Sequence, residues 1–343
     1  MLAKESQIFF SFGPHSVPLD RVETQARHFF SAAPDVVNIY FAENDPWPES
    51  AYKTTKKLYP RYNSYFLAIV QANRLREGFP LYSGRELERE RARVVNHVQS
   101  SQAVGEGASV YSVAELLMID RLEAEFGLVI ESEYIPDVRF KEAQRVGQRI
   151  VGLEETILDA IIHGRLDRAI ATTQNGFKEM AKWINGRDET ITDELYQVVR
   201  NIGDRAFRMY VRLGADHDVI VAPFRERFIP EEIPNILQEY DADGSARRTY
   251  VERILLGLQQ NPDATISTDE ACRIILEKFI QIQLLSVART REQVIIEVDK
   301  ILERTEFEEI DSLLRKISAD SVLLGPEQSL ARNIPRFISS KIF

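Results

Sequence analysis

His15 and Glu43 are the first residues whose types and spacing suggest chemistry. The apolar run Ile8–Phe12 ends in Gly13-Pro14-His15, and a second run, Val36–Phe41, leads into Glu43. An imidazole and a carboxylate held side by side can exchange a proton with a ligand or share a cation. The pattern recurs downstream, where Ala206–Leu213 ends in Gly214-Ala215-Asp216-His217. Arg187 is a candidate of another kind. Asn185 reads as an N-cap with acidic residues behind it, which makes Arg187 project from a helix N-terminus, where anions are already favoured. Cys272 is the single cysteine. Its neighbours Ala271, Arg273, Ile274 and Ile275 read as helix, so it is expected to be a buried structural thiol.

These residues need elements to position them. Ile8–Phe12 has the profile of a buried strand, and Asp20–Phe30 carries Val22, Ala26, Phe29 and Phe30 on one helical face. Val36–Phe41 is β-branched and aromatic, as a strand should be. Strand, helix and strand make a compact parallel unit with a right-handed crossover. Both strands then end at the same sheet edge, where open α/β sheets place their ligands. If the two strands are neighbours they lie ~4.8 Å apart, and His15 and Glu43 emerge side by side.

Further along, Ser64–Arg76 reads as a helix, and Ser83-x-x-Glu86 is a capping box opening another to about Ser100. Val113–Phe126 is helical, Leu128–Ile130 a short strand, and Arg139–Ile162 one long helical region ending at His163-Gly164. Asp241–Ser245 is linker-like. Beyond it only helical patterns follow, over 247–259, 269–286, 291–304 and 306–317, before an irregular tail from Gly325-Pro326. The expected architecture is α/β: a mainly parallel central sheet flanked by helices in residues 1–238, then an all-helical C-terminal extension, 239–343.

Composition narrows the function classes. Basic residues number 43 against 53 acidic, a net charge of −10. That disfavours nucleic acid and anionic membrane as partners. No run approaches the ~18 apolar residues of a membrane span. The first residues, Met-Leu-Ala-Lys-Glu-Ser, lack the order of a signal peptide. A lone cysteine fits a reducing compartment, so a cytoplasmic location is expected. The C-terminal helices are candidates for homo-oligomer contacts.

The order of these motifs resembles the superfamily that includes the TraB and TIKI proteins, the ChaN-like haem-uptake lipoproteins and the erythromycin esterases. The resemblance rests on His15, Pro34-Asp35-Val36-Val37, Glu43, Arg187-Asp188 and Gly214-Ala215-Asp216-His217, and spans roughly residues 8–235. Phe12 departs from it, since many members carry a small residue there. The resemblance implies that His15, Glu43 and His217 converge at the sheet edge. Its TIKI branch implies a divalent metal held by those three residues, activating water and polarising a carbonyl. Its esterase branch implies a histidine acting as general base, with Glu43 orienting or sharing the proton and Arg187 stabilising negative charge. Both end in hydrolysis of an ester or amide in a small-molecule or peptide substrate. The ChaN-like branch implies instead a non-catalytic module holding haem or another small ligand. Asp216 and Asp218 flank His217 and are candidates to orient it.

Overall fold

The computed structural model describes residues 6–12, 19–32, 36–104, 108–228, 234–240, 249–285 and 291–342. The chain divides into two compact units. One comprises Met1–Ala143 with Asp188–Gly244, the other Gln144–Arg187 with Ser245–Phe343. One division falls at Gly244, beside the expected 238, while Gln144–Arg187 lies outside the span expected for it. Residues 144–187 group with the C-terminal helices because Leu153, Ile157, Ile161, Leu166 and Phe177 share one core with Leu255, Ile275 and Leu314.

The first unit is built on a parallel sheet of five strands, β1 (Gln7–Phe12), β2 (Val37–Pro48), β3 (Val129–Ile135), β4 (Phe207–Leu213) and β5 (Asn235–Tyr240), in the order β3-β2-β4-β1-β5. The α/β architecture with a parallel sheet, flanking helices and a helical C-terminal region is as expected. The neighbour relation is not. β4 lies between β1 and β2, so those two strands are ~9.6 Å apart, two strand spacings rather than one. The sequence of β4 accounts for its central place. Phe207, Met209, Tyr210, Val211 and Leu213 are all fully buried, as a strand covered on both faces requires.

Strand alternation sorts the core into two layers. Ile8, Phe10, Ile39, Phe41, Met209 and Val211 point to one face, against Ile191, Leu195 and Val199 of α8 (Leu166–Ile202) and Phe224 of α9 (Val221–Glu226). Tyr40, Ala42, Ile130 and Tyr210 point to the other. There they meet α1 (Leu19–Ser31), α3 (Tyr65–Arg76) and α5 (Ala108–Phe126) through Phe30, Ile69 and Met118. Tyr210 is the hub of that layer, stacked 5.4 Å from Phe9 and 5.5 Å from Tyr40. Two helices, α2 (Glu49–Tyr62) and α4 (Gly84–Val104), complete the stretch between β2 and α5. The Ser83 N–H donates to Glu86 at 2.7 Å, as the capping box requires.

The second unit is helical. The stretch expected as one helix over 139–162 is two, α6 (Asp137–Val151) and α7 (Leu153–Ile162), parted at Gly152, a poor helix former. α10 (Tyr250–Gln260), α11 (Thr268–Leu285), α12 (Arg291–Glu303) and α13 (Phe307–Leu324) follow the expected pattern. The tail from Gly325 is not irregular. It forms α14 (Pro326–Ile342), with Pro326 at the first helical position and Leu330, Ile334 and Ile338 recurring every four residues against the core. Cys272 is fully buried on α11. Among the described residues no helix is long and apolar enough to cross a membrane.

Candidate functional site

The connection leaving β2 runs outward to β3, whereas the one leaving β4 runs the other way, to β5. Where connections from adjacent parallel strands diverge, the carboxyl ends leave a crevice. Glu43 and His217 meet there. The β2–β3 register breaks between Ala42 and Trp47, which frees Glu43 from the ladder at the sheet edge. Gly214 closes β4, and a 3-10 helix, Ala215–Ile220, carries His217 back over that edge.

The Gly214 N–H donates to Glu43 Oε2, and Glu43 Oε1 lies 3.2 Å from His217 Nε2. On the far side of the ring, Nδ1 is hydrogen-bonded to Asp188 Oδ1 of α8. The three side chains are 7%, 4% and 9% exposed, respectively, so the chain Glu43–His217–Asp188 is almost shut off from water. Each ring nitrogen faces a carboxylate oxygen. The ring can donate at both only as an imidazolium; a neutral ring donates at one nitrogen and accepts at the other from a protonated carboxyl. Either way the pair shares a proton that a reacting molecule can borrow.

The sequence candidates fare differently. Glu43 and His217 are brought together. His15 lies outside the described residues, as do Pro34, Asp35 and the side chains of Asn44, Asp45, Asp216 and Asp218. Asp188 orients His217, the task expected of Asp216 or Asp218. Arg187 is not at a helix N-terminus. α8 runs through Asn185-Gly186 without a break because Ile184, Ile191, Leu195 and Val199 continue one buried stripe. Asn185 does not cap a helix start; its amide donates to Gln259 O at 3.1 Å. The Arg187 guanidinium lies 4.7 Å over the Trp183 ring. No helix N-terminus therefore favours an anion at Arg187.

For a divalent ion, a carboxylate and an imidazole backed by a second carboxylate are suitable donor chemistry. Glu43 and His217 are only two donors, however, and among the described residues no group of three or more His, Cys, Asp or Glu side chains could hold a metal. A haem iron would need a free ring nitrogen, and both nitrogens of His217 are engaged.

Two further acids on the α8 face of the sheet escaped the sequence reading. Glu133 on β3 is fully buried. Glu194 on α8 has both carboxyl oxygens buried. Burial first, then the charge of Glu133, push the Glu194 carboxyl up to about 9, and the Tyr134 N–H only tempers this. The signal was present in Val129–Ile135, where Glu131 and Glu133 recur at the two-residue period of a strand. Arg212 was visible as a break in the β4 pattern. It is 4% exposed and donates to Leu213 O at 3.1 Å, and its position along the strand sets it on the face opposite Glu43.

No family model matches the chain, and comparison with curated proteins and with solved structures finds no match either.

Proposed function

We propose that the sheet unit is a hydrolase of ester or amide bonds, in which Glu43 and His217 move the proton and Asp188 holds the ring. The buried Glu43–His217–Asp188 chain at the divergence of β2 and β4 carries this reading. The resemblance to the TIKI and erythromycin-esterase branches points the same way. With the ring as imidazolium, Glu43 is the base. It takes a proton from water as the water oxygen bonds to the substrate carbonyl carbon. The tetrahedral intermediate then collapses, its bond to the leaving oxygen or nitrogen breaks, and the proton passes to that atom. The fixed Asp188–Nδ1 hydrogen bond keeps Nε2 aimed at this exchange. His15, by its place in the motif order, is a further candidate base. The substrate is a small molecule or peptide, and the setting is the cytoplasm, where Cys272 stays reduced. Nothing in the geometry favours the haem-binding alternative.

The test is turnover of p-nitrophenyl acetate and of a generic peptide amide by the wild type, E43Q and H217Q. Losses of about 10²-fold or more in kcat/KM are expected for both variants. Equal turnover in all three would overturn the proposal. Activity that disappears with a chelator and returns with a divalent ion would assign the same residues to metal ligation instead.

A further inference from the structure

A groove of about 830 Å³ runs along the sheet between α8 and the β2–β3 strands. Its floor and inner wall are apolar: Val37, Ile39 and Phe41 of β2, Val129 of β3, and Val198 and Ile202 of α8. Val129 is 40% exposed, so part of that floor meets solvent. The rim is polar and aromatic. Tyr52 and Tyr134 stack at 4.8 Å and 18° on one side. Six acidic or basic side chains line it: Lys56 pairs with Glu131 at 2.8 Å and Asp193 with Arg227 at 2.5 Å, and Arg139, Glu194 and Arg205 lie beside them. The volume lies within the ~300–1,000 Å³ range of ligand pockets, and an apolar body with a few polar groups is their usual lining.

The groove runs towards the candidate site, although Glu43 and His217 are not among its lining residues. Ile39, Phe41 and Glu43 alternate onto the same face of β2, so Glu43 is one step, ~6.6 Å, beyond the floor residue Phe41. From Glu43 back to Val37 the strand spans ~20 Å. A ligand stretched along this floor is extended and apolar where it meets Val37, Val129 and Val198, with one end towards the carboxylate and imidazole.

We infer that the groove holds the apolar acyl part of the substrate, stretched along β2, with its ester or amide carbonyl at the Glu43–His217 end. The placement of the carbonyl rests on the hydrolase reading; the binding of an apolar chain does not. Val129→Trp would fill the floor from an exposed edge-strand position, and Val198→Trp would do so from the α8 side.

Two measurements separate the claims. The first is kcat/KM across p-nitrophenyl esters from acetate to dodecanoate. At least a tenfold gain with chain length is expected in the wild type. Each Trp variant should lose that gain. The second is fluorescence binding of N-dodecyl dansylamide, expected to persist in H217Q and to weaken at least tenfold in either Trp variant. If esters turn over without chain-length preference, or if both folded Trp variants bind the dansylamide like the wild type, the groove assignment is overturned. If no ester is hydrolysed but the dansylamide is bound and then lost in the Trp variants, the hydrolase reading fails and the groove stands.

Discussion

Glu43 and Asp188 in the sheet unit and Glu277 in the helical unit are all buried carboxylates, and their partners differ in kind. Glu277 is fully buried on α11. It accepts the Val251 N–H at 2.9 Å, one of the free donors at the start of α10, and the Gln281 amide at 2.6 Å. Neither donor titrates, and the arrangement fastens the start of one helix to the flank of another. Glu43 also accepts a backbone N–H, from Gly214, but its second oxygen faces His217, which in turn faces Asp188. Burial alone therefore does not mark a site in this protein. A carboxylate whose partners are backbone and amide is structural. One whose partner is another titratable group, at a divergence of strand connections, is placed to exchange a proton, which is what the proposed hydrolase reading requires of Glu43.

The strongest challenge to that distinction is removal of the ring. His217→Ala leaves Glu43 and Asp188 buried without their shared donor, and breaking a buried charged pair costs roughly 3–5 kcal/mol. Denaturant unfolding at pH 7 should show a loss of that order, with the double variant H217A/E43Q recovering part of it. A loss under ~0.5 kcal/mol, the usual scale of a plain surface substitution, would mean the carboxylates are hydrated and the chain is not a unit.

The carboxyls without a titratable donor should respond to pH instead. Burial, then the charges of Asp299 and Glu252, outweigh the Val251 N–H and raise Glu277 to about 7. A raised carboxyl binds its proton more tightly when folded. The wild type thus loses stability as pH climbs from the ordinary carboxylate range through 7, by on the order of 3 kcal/mol. Glu277→Gln should lack that loss, so its advantage over the wild type grows up to about pH 7 and then levels off. Glu194, raised to about 9, should behave alike at first. The advantage of Glu194→Gln, however, should keep widening beyond pH 7 towards 9. Unfolding free energies at pH 5, 7 and 9 separate the two. If both curves flatten at the same pH, the distinction between the two acids is lost.

Much of the sheet unit was legible because its signals are local. Ile8–Phe12, Val36–Phe41 and Ala206–Leu213 are apolar runs bounded by turn residues, and the α1 face carries four correctly spaced apolar residues. Glu43 and His217 could be picked out because each follows such a run. What could not be read is long-range. Nothing local in β4 says that it inserts between β1 and β2, and that insertion separates the first two strands while bringing Glu43 to His217. β5 was missed because Asn-Ile-Leu-Gln-Glu-Tyr is an edge strand with mostly exposed side chains and weak alternation. Asp188 was misread through its neighbours. Asn185-Gly186 looks like a helix boundary, yet the buried stripe on either side overrides that local preference. That residues 144–187 group with the C-terminal helices was hidden for the same reason, since α8 contributes to both units without any break in composition.

Arg187 supplies the smallest and most pointed test, because it is adjacent in sequence to Asp188 yet lies over an aromatic ring. A guanidinium over Trp at a partly exposed position is worth about 0.5–1 kcal/mol. Arg187→Ala should cost that much stability and shift Trp183 fluorescence, while changing kcat/KM less than about threefold, because no helix N-terminus exists there to focus its charge on an anion. Asp188→Asn, one residue on, should leave the Trp183 signal unchanged and lower kcat/KM by 10²-fold or more, as expected when the group that fixes the histidine's tautomer is lost. If the two variants affected turnover equally, α8 would be acting as a whole and not through the carboxylate that touches His217, and the contrast between a structural partner and a proton-sharing one would have to be drawn elsewhere in the molecule.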